Sequence, residues 1–248
     1  EIVCKKNIKE KEKTLLHLRL AFGHEKSEKE LREVGEKVFE HFGQTLFELA
    51  MLDRIIPKFD DYVYATGYEN FDKGLKAGKG VICTIAHFGN WEVIPHVLTS
   101  FGLTGAVLAR RLRYPEYEPF LLSSRGAKGV ATLTRGSLKE AARYLRSNQV
   151  VGILPDQDMD SLEGIFIQFF GRPAYTPVGP AALSLMTGAP IVPCVTIREG
   201  TRFRLVVERP LRAPEGVDRA HALTALTQAW SDVIESYIVS MTLGVDDV

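Results

Sequence analysis

The chain has 248 residues, of which 45% are hydrophobic and 25% charged, and its formal net charge is zero. A chain of this length can bury a full hydrophobic core, so its three cysteines are not needed as a disulfide framework. The balanced charge gives no indication of a nucleic-acid partner, and none is expected. No apolar run reaches the length of about 18 residues that predicts a transmembrane helix, and no signal peptide is visible.

Residues 1–60 are predicted to form an N-terminal helical segment packed on the core. Apolar side chains recur at helical spacing over 11–22 and 27–51, and Ser27 with Glu30 forms a capping-box pattern where the second helix begins. Basic residues crowd the start of this segment, at Lys5, Lys6, Lys9, Lys11, Lys13 and Arg19. A basic amphipathic helix can lie on an anionic membrane surface, and the alternative is an ordinary solvated helix face.

From residue 80 onward, short apolar runs alternate with helical patterns, which predicts a helix-flanked sheet over residues 61–248. The expected fold is α/β, with a mixed, mostly parallel central sheet and the N-terminal helical segment in front of it. The predicted strands are 81–86, 105–109, 130–133, 150–154, 191–198 and 202–208, the last two forming a hairpin. A capping box is predicted at 137–140, and Thr176 with Pro177 is predicted to start a helix. Asp218 is predicted to cap the last helix.

The segment 86–92, which contains His87, carries the clearest chemical signal. His87 comes directly after a buried strand, at the sheet edge where open α/β sheets bind ligands. Gly89 allows a sharp turn, and Asn90 is a good N-cap for the helix predicted to follow it. Glu92 then falls in the first helical turn, where the helix dipole favours an ionised carboxylate. This arrangement can return Glu92 to His87.

A carboxylate that accepts one ring N–H of His87 leaves the other ring nitrogen free to act as a base. No Ser or Cys nucleophile is needed if the hydroxyl of the acceptor itself attacks. The competing interpretation is a loop histidine that only caps the strand. Zinc binding is disfavoured, because no cluster of Cys and His surrounds His87 and Glu92. Pro95 predicts a kink or a later start of the helix.

This segment, HFGNWE at 87–92, resembles the bacterial lipid A biosynthesis acyltransferases, the lauroyl and myristoyl transferases of the His-x4-Asp/Glu lysophospholipid acyltransferase superfamily. The resemblance covers nearly the whole chain, and several blocks in the same order are more specific than any one of them. The other blocks are LRLAF at 18–22, ARRL at 109–112, SRG at 124–126, LPDQD at 154–158, FGRP at 170–173, TPVGP at 176–180 and TGAPIVP at 187–193.

The resemblance implies that His87 is the general base and that Glu92 orients it and stabilises its charge. Arg110 and Arg125 would meet a phosphate or carboxylate of the acceptor, and the alternative for each is surface charge. Asp156 matches the acidic position of a later block, and the alternative is a structural turn. The remaining candidates for substrate binding are Gln157, Asp158, Asn90, Gly89, Gly171 and Arg172.

The resemblance also implies a donor that is a thioester of acyl carrier protein or CoA, a lipid A precursor as acceptor, and no metal or redox cofactor. The expected location is the cytoplasmic face of the bacterial inner membrane, with the protein peripheral or anchored by a segment outside this chain. The apolar run 164–170 is expected to be a core strand, with an acyl-pocket lining or a membrane-facing rim as the alternatives. Other acceptors, such as another glycolipid or a lysophospholipid, stay open. Two other functions also stay open, namely a thioesterase or lipid hydrolase, and a lipid-binding module without catalytic activity.

Overall fold

A computed structural model describes residues 8–51, 59–109, 122, 129–134, 137–157 and 163–243. Its centre is a seven-stranded sheet in the order β1-β9-β8-β2-β5-β3-β4, and β6 pairs with β7 in a separate two-stranded sheet. The strands are β1 Val63–Thr66, β2 Val81–Ile85, β3 Gly105–Ala109, β4 Val130–Thr134, β5 Val150–Ile153, β6 Gly164–Phe169, β7 Arg172–Pro177, β8 Ile191–Glu199 and β9 Arg202–Val207.

Helices flank the sheet and precede it. They are α1 Ile8–Phe22, α2 Glu28–Ala50, α3 Phe59–Tyr62, α4 Glu69–Leu75, α5 Ile94–Ser100, α6 Leu138–Arg146, α7 Gly179–Thr187 and α8 Arg219–Leu243, with a 3-10 turn at Trp91–Val93. Every pairing in the large sheet is parallel except the β8–β9 hairpin. The predicted mixed, mostly parallel sheet with helices before it and around it is therefore confirmed.

Strand β2 lies in the middle of the core and is buried along its whole length. Successive side chains of a strand point to opposite faces, so Val81, Cys83 and Ile85 pack into one cluster with α5. Ile82 packs into the other cluster, with α6, α7 and α8. Cys194 is buried too, as expected, and burial raises the pKa of its thiol well above the ordinary value. Such a thiol is a packing residue rather than a nucleophile.

Two predictions about helix starts are wrong, namely the capping box at 137–140 and the start at Thr176 and Pro177. The Ser137 side chain makes no capping hydrogen bond, although a helix does begin at Leu138. Thr176 and Pro177 do not open a helix, because they are the last residues of β7 and pair with β6. Helix α7 begins at Gly179 instead. Here pairing between strands overrides the local Thr-Pro signal.

Other local predictions are confirmed. The capping box of Ser27 and Glu30 is formed in full at the start of α2. Asp218 accepts a hydrogen bond from the backbone of His221 where α8 begins. The run 164–170 forms β6, but this strand belongs to the two-stranded sheet, and Phe166 is largely exposed. The expectation of a strand there is confirmed, whereas its placement in the core is wrong.

Candidate active site

His87 and Asp156 meet at the carboxyl end of the central sheet. His87 follows β2 and Asp156 follows β5, and these two strands are parallel neighbours, so their carboxyl ends lie side by side. The backbone N–H of His87 donates to one carboxylate oxygen of Asp156 at 2.8 Å. Nδ1 of the ring lies 2.8 Å from the other oxygen. The carboxylate thus holds both the backbone and the ring of the histidine.

This contact determines which ring nitrogen is available for chemistry. A carboxylate only accepts hydrogen bonds, so Nδ1 of His87 carries the proton and Nε2 carries the lone pair. Within the described residues Nε2 makes no hydrogen bond, and 32% of the side chain is exposed. An oriented imidazole with an accessible basic nitrogen suits a general base.

Gly89 turns the chain between β2 and the following helix. Its φ of +62° lies in the left-handed region, which glycine enters without strain. A Cβ at this position would lie 1.9 Å from the carbonyl oxygen of Thr196 in β8. The Thr196 hydroxyl also donates to the Phe88 carbonyl at 3.1 Å. The loop therefore lies directly against β8, with no room for a side chain at Gly89.

Asn90 caps the turn that carries Glu92, as predicted. Its side-chain oxygen accepts a hydrogen bond from the Glu92 N–H at 3.2 Å. The α-helix itself begins at Ile94 with Pro95 in its first turn, which confirms the later start. Glu92 is buried. The carboxylate on Nδ1 of His87 is that of Asp156, and a pairing of Glu92 with His87 stays a prediction.

Helix α2 supports the same loop through residues that the sequence did not single out. Nδ2 of Asn90 donates to Oε2 of Glu48 at 2.9 Å, and the Thr45 hydroxyl lies 3.5 Å from the Gly89 carbonyl. Glu48 forms a two-point ion pair with Arg198 of β8. The two partners are separated by 150 residues, so no local pattern links them. In the sequence, Arg198 is marked only as a charged residue near the end of the apolar strand β8.

An apolar crevice lies beside the loop. Trp91, Glu92 and Leu154 are among the residues that line it, and its volume of about 30 Å³ has room for about one water molecule. A second space of about 20 Å³ lies under α5 and shares Ile85 and two other lining residues with the first. The Trp91 ring also meets the His87 ring edge to face, with 4.8 Å between their centres. The crevice therefore begins next to the candidate base.

Other predicted residues lie elsewhere. Gly171 lies in the turn of the β6–β7 hairpin and Arg172 is the first residue of β7, where its Nε donates to the Leu20 carbonyl at 3.1 Å. Gln157 is exposed directly after Asp156. The predicted binding residues Arg110, Arg125 and Asp158 are outside the described residues. In the described part of the chain, no three acidic, His or Cys side chains are grouped as a metal site.

The family model for bacterial lipid A biosynthesis acyltransferases matches residues 2–240, which is nearly the whole chain. The chain belongs to this family. It is therefore a member of an acyltransferase family, and the resemblance seen in its sequence blocks is confirmed.

Two mycobacterial acyltransferases are similar to this family member over part of their length. The phosphatidylinositol mannoside acyltransferase of Mycobacterium tuberculosis is 29% identical over 171 residues, which cover 67% of this chain and 52% of the relative. That of Mycolicibacterium smegmatis is 28% identical over 163 residues, covering 64% of this chain and 52% of the relative. The chain thus spans about half the length of these relatives.

A solved structure, that of the 1-acyl-sn-glycerophosphate acyltransferase of Thermotoga maritima, matches this family member with a TM-score of 0.40 and 15% identity. The match covers 89% of this chain and 92% of that one.

Proposed function

We propose that the chain transfers a fatty acyl group from a thioester of acyl carrier protein or CoA to a hydroxyl of a lipid A precursor. The observation that carries this proposal is the His87–Asp156 contact. It orients a histidine whose side chain is 32% exposed and whose ring touches Trp91, one of the residues that line the apolar crevice. Membership of an acyltransferase family supports the reaction class.

In the proposed reaction, the acceptor hydroxyl oxygen attacks the thioester carbonyl carbon while Nε2 of His87 takes the hydroxyl proton. A C–O bond forms, and the electron pair of the carbonyl π bond moves to its oxygen. The tetrahedral intermediate then collapses by breaking the C–S bond, and the leaving thiolate takes the proton from His87. Asp156 keeps Nδ1 protonated and stabilises the imidazolium between the two steps. Glu92, the carboxylate of the loop that carries His87, is proposed to add to this stabilisation.

The acyl chain of the donor is proposed to enter the apolar crevice beside His87. The two spaces share three lining residues and hold only about 30 and 20 Å³ in this structure, so the acyl chain is proposed to enter by displacing side chains of the lining. Apart from Glu92, the crevice is lined by apolar side chains. An extended hydrocarbon chain gains free energy from burial in such a space, while its thioester stays at the mouth.

The acceptor is proposed to be a glycolipid, with a lipid A precursor as the first candidate because of the family. The mycobacterial relatives are named for phosphatidylinositol mannoside, which makes a mannosylated phospholipid the second candidate. Arg110 and Arg125 are proposed to bind the phosphate or carboxylate of the acceptor, because a guanidinium matches such groups with two hydrogen bonds.

A membrane surface is proposed to hold the protein near its lipid substrates, at the cytoplasmic face of the bacterial inner membrane. Helices α1 and α2 expose an unusual number of large apolar side chains: Leu16, Leu20, Val38, Phe42, Leu46 and Phe47. Lys9 and Lys13 are exposed on the same helical segment and would favour anionic lipid. No helix within the described ranges is long and apolar enough to cross a bilayer.

The test is acyl transfer in detergent from labelled acyl–acyl carrier protein or acyl-CoA. Acceptors are a lipid A precursor, a phosphatidylinositol mannoside and no lipid. Labelled acylated lipid from the native chain, and none from His87→Ala, supports the proposal and identifies the acceptor. Release of free fatty acid without any lipid product would contradict it in favour of a thioesterase.

A further inference from the structure

The loop that carries His87 is held from the N-terminal helical segment. We propose that Glu48 of α2 and Arg198 of β8 are positioning residues, which fix the loop through Asn90 so that His87 and Glu92 face the substrates in the productive geometry. This inference rests on the proposed function, because it concerns the same site. We call the set of Glu48, Asn90 and Arg198 the loop clamp.

Both ends of the Asn90 amide are used in the loop clamp. Its oxygen accepts the N–H of Glu92 at 3.2 Å, and its nitrogen donates to Glu48 at 2.9 Å. Asn90 is only 1% exposed, so water is not available to replace either partner. An acceptor on the α2 side therefore determines which way the amide points. Glu48 supplies that acceptor, and a flipped amide would present N–H groups to the Glu92 N–H.

Arg198 in turn holds Glu48. Its guanidinium meets both carboxylate oxygens, one of them at 3.0 Å, and lies over the Phe203 ring with 4.6 Å to the ring centre. The side chains of Glu48 and Arg198 are 18% and 19% exposed. An ion pair with so little solvent contact keeps a fixed geometry, because breaking it leaves a charge poorly solvated.

The contacts on β8 and α2 hold the two sides of the loop. Thr196 lies two residues before Arg198 on the same strand, and its side chain holds the Phe88 carbonyl. Thr45 lies one turn before Glu48 on α2, and its hydroxyl faces the Gly89 carbonyl at 3.5 Å. A fixed loop matters, because a misplacement of about 1 Å can lower a catalytic rate by about 10²-fold. The loop clamp thus makes the loop geometry depend on the docking of α2.

The experiment compares kcat and KM for acyl transfer in Glu48→Ala, Glu48→Gln and the double variant Glu48→Met/Arg198→Met. The double variant replaces both charged side chains by uncharged ones of similar volume. It therefore leaves no unpaired buried charge that could unfold the protein. We expect kcat to fall roughly 10- to 100-fold in Glu48→Ala and in the double variant, with KM for the donor within about twofold. Glu48→Gln keeps an acceptor oxygen for Asn90, and we expect it to retain most of the activity.

Glu28→Gln is the matched control. It makes the same change on the same helix, in an exposed ion pair with Arg19. We expect Glu28→Gln to have the same kcat as the native chain. The variant that combines Glu48→Ala with Asn90→Ala should lower kcat no more than the worse of the two single variants. Both substitutions remove the same hydrogen bond, between Asn90 and Glu48. Wild-type kcat in a folded Glu48→Ala or double-Met variant would overturn the inference. The inference would also be overturned if the activity lost by these variants only matched the fraction of each variant that is unfolded.

Amide hydrogen exchange of the segment 86–92 gives a readout that does not need activity. We expect exchange there to become roughly tenfold faster in the double variant, with β2 unchanged, because the loop opens locally. An inactive native chain would refute the proposed function but leave this measurement decisive for the loop clamp. Unchanged exchange in the segment would refute the loop clamp, whatever the activity of the native chain.

Discussion

Two glycine turns in this protein have nearly the same backbone conformation but different surroundings. Gly89, in the loop after β2, has φ +62°, and Gly171, between β6 and β7, has φ +65°. A Cβ on Gly89 would lie 1.9 Å from the Thr196 carbonyl, whereas a Cβ on Gly171 would meet nothing within 4 Å. Close packing on a neighbouring strand excludes a side chain at Gly89, whereas at Gly171 only the left-handed backbone conformation favours glycine.

The polar contacts of the two turns differ in the same way. The loop after β2 is tied to Asp156 and to the loop clamp, and its Asn90 and Glu92 side chains are buried. The hairpin turn binds outer helices, since the Phe170 N–H donates to Glu235 of α8 at 2.8 Å and Arg172 donates to α1. A block that resembles a family motif can thus belong to the site or to the scaffold, and only the neighbours of its side chains decide between them.

The largest effect should come from removing the base. We expect His87→Ala to lower kcat by roughly 10³- to 10⁴-fold, because general-base and orientation effects together reach that size. The measurement is labelled acyl transfer at saturating donor, with folding checked by thermal denaturation. A folded variant that keeps more than a tenth of the native rate would show that His87 is not the base.

The next effect should come from Asp156→Asn. The amide keeps the shape but loses the charge that stabilises the imidazolium, so we expect kcat to fall about 10²- to 10³-fold. Asp218 provides a matched control, since its carboxylate holds the backbone and ring of exposed His221 at 2.9 and 2.8 Å. Asp218→Asn should leave kcat unchanged. Equal activity of the two variants would assign Asp156 to a structural turn and return the orienting role to Glu92.

The glycine comparison itself predicts a difference in stability. Alanine at a left-handed position costs about 1 kcal/mol, and we expect that loss for Gly171→Ala. Gly89→Ala adds an overlap with backbone, so its loss should exceed about 3 kcal/mol and be accompanied by loss of activity. Denaturant unfolding of the two variants measures both losses. Equal losses would mean that the loop after β2 relaxes more easily than its packing indicates.

The sequence predicted what local patterns encode. An apolar run followed by His, Gly and Asn predicted β2, the turn and the cap on Glu92, and all three are present. It did not predict that His87 pairs with a residue 69 positions away, because local spacing favoured Glu92 as its partner. It also missed Glu48, whose role depends on how α2 lies across the sheet. Long-range contacts of this kind follow from topology, which the spacing of residues along the chain does not reveal.

The smallest effect should come from Arg172→Ala. Among the described residues the exposed guanidinium makes one hydrogen bond, to the Leu20 carbonyl of α1, so its loss should cost about 1 kcal/mol of stability. We expect kcat and both KM values to stay within about twofold of the native chain, in contrast to His87→Ala. The acyl-transfer assay used for His87→Ala measures kcat and both KM values of Arg172→Ala. A large rise in KM for the acceptor would instead make Arg172 a substrate-binding residue, and the hairpin turn would then be part of the site rather than of the scaffold.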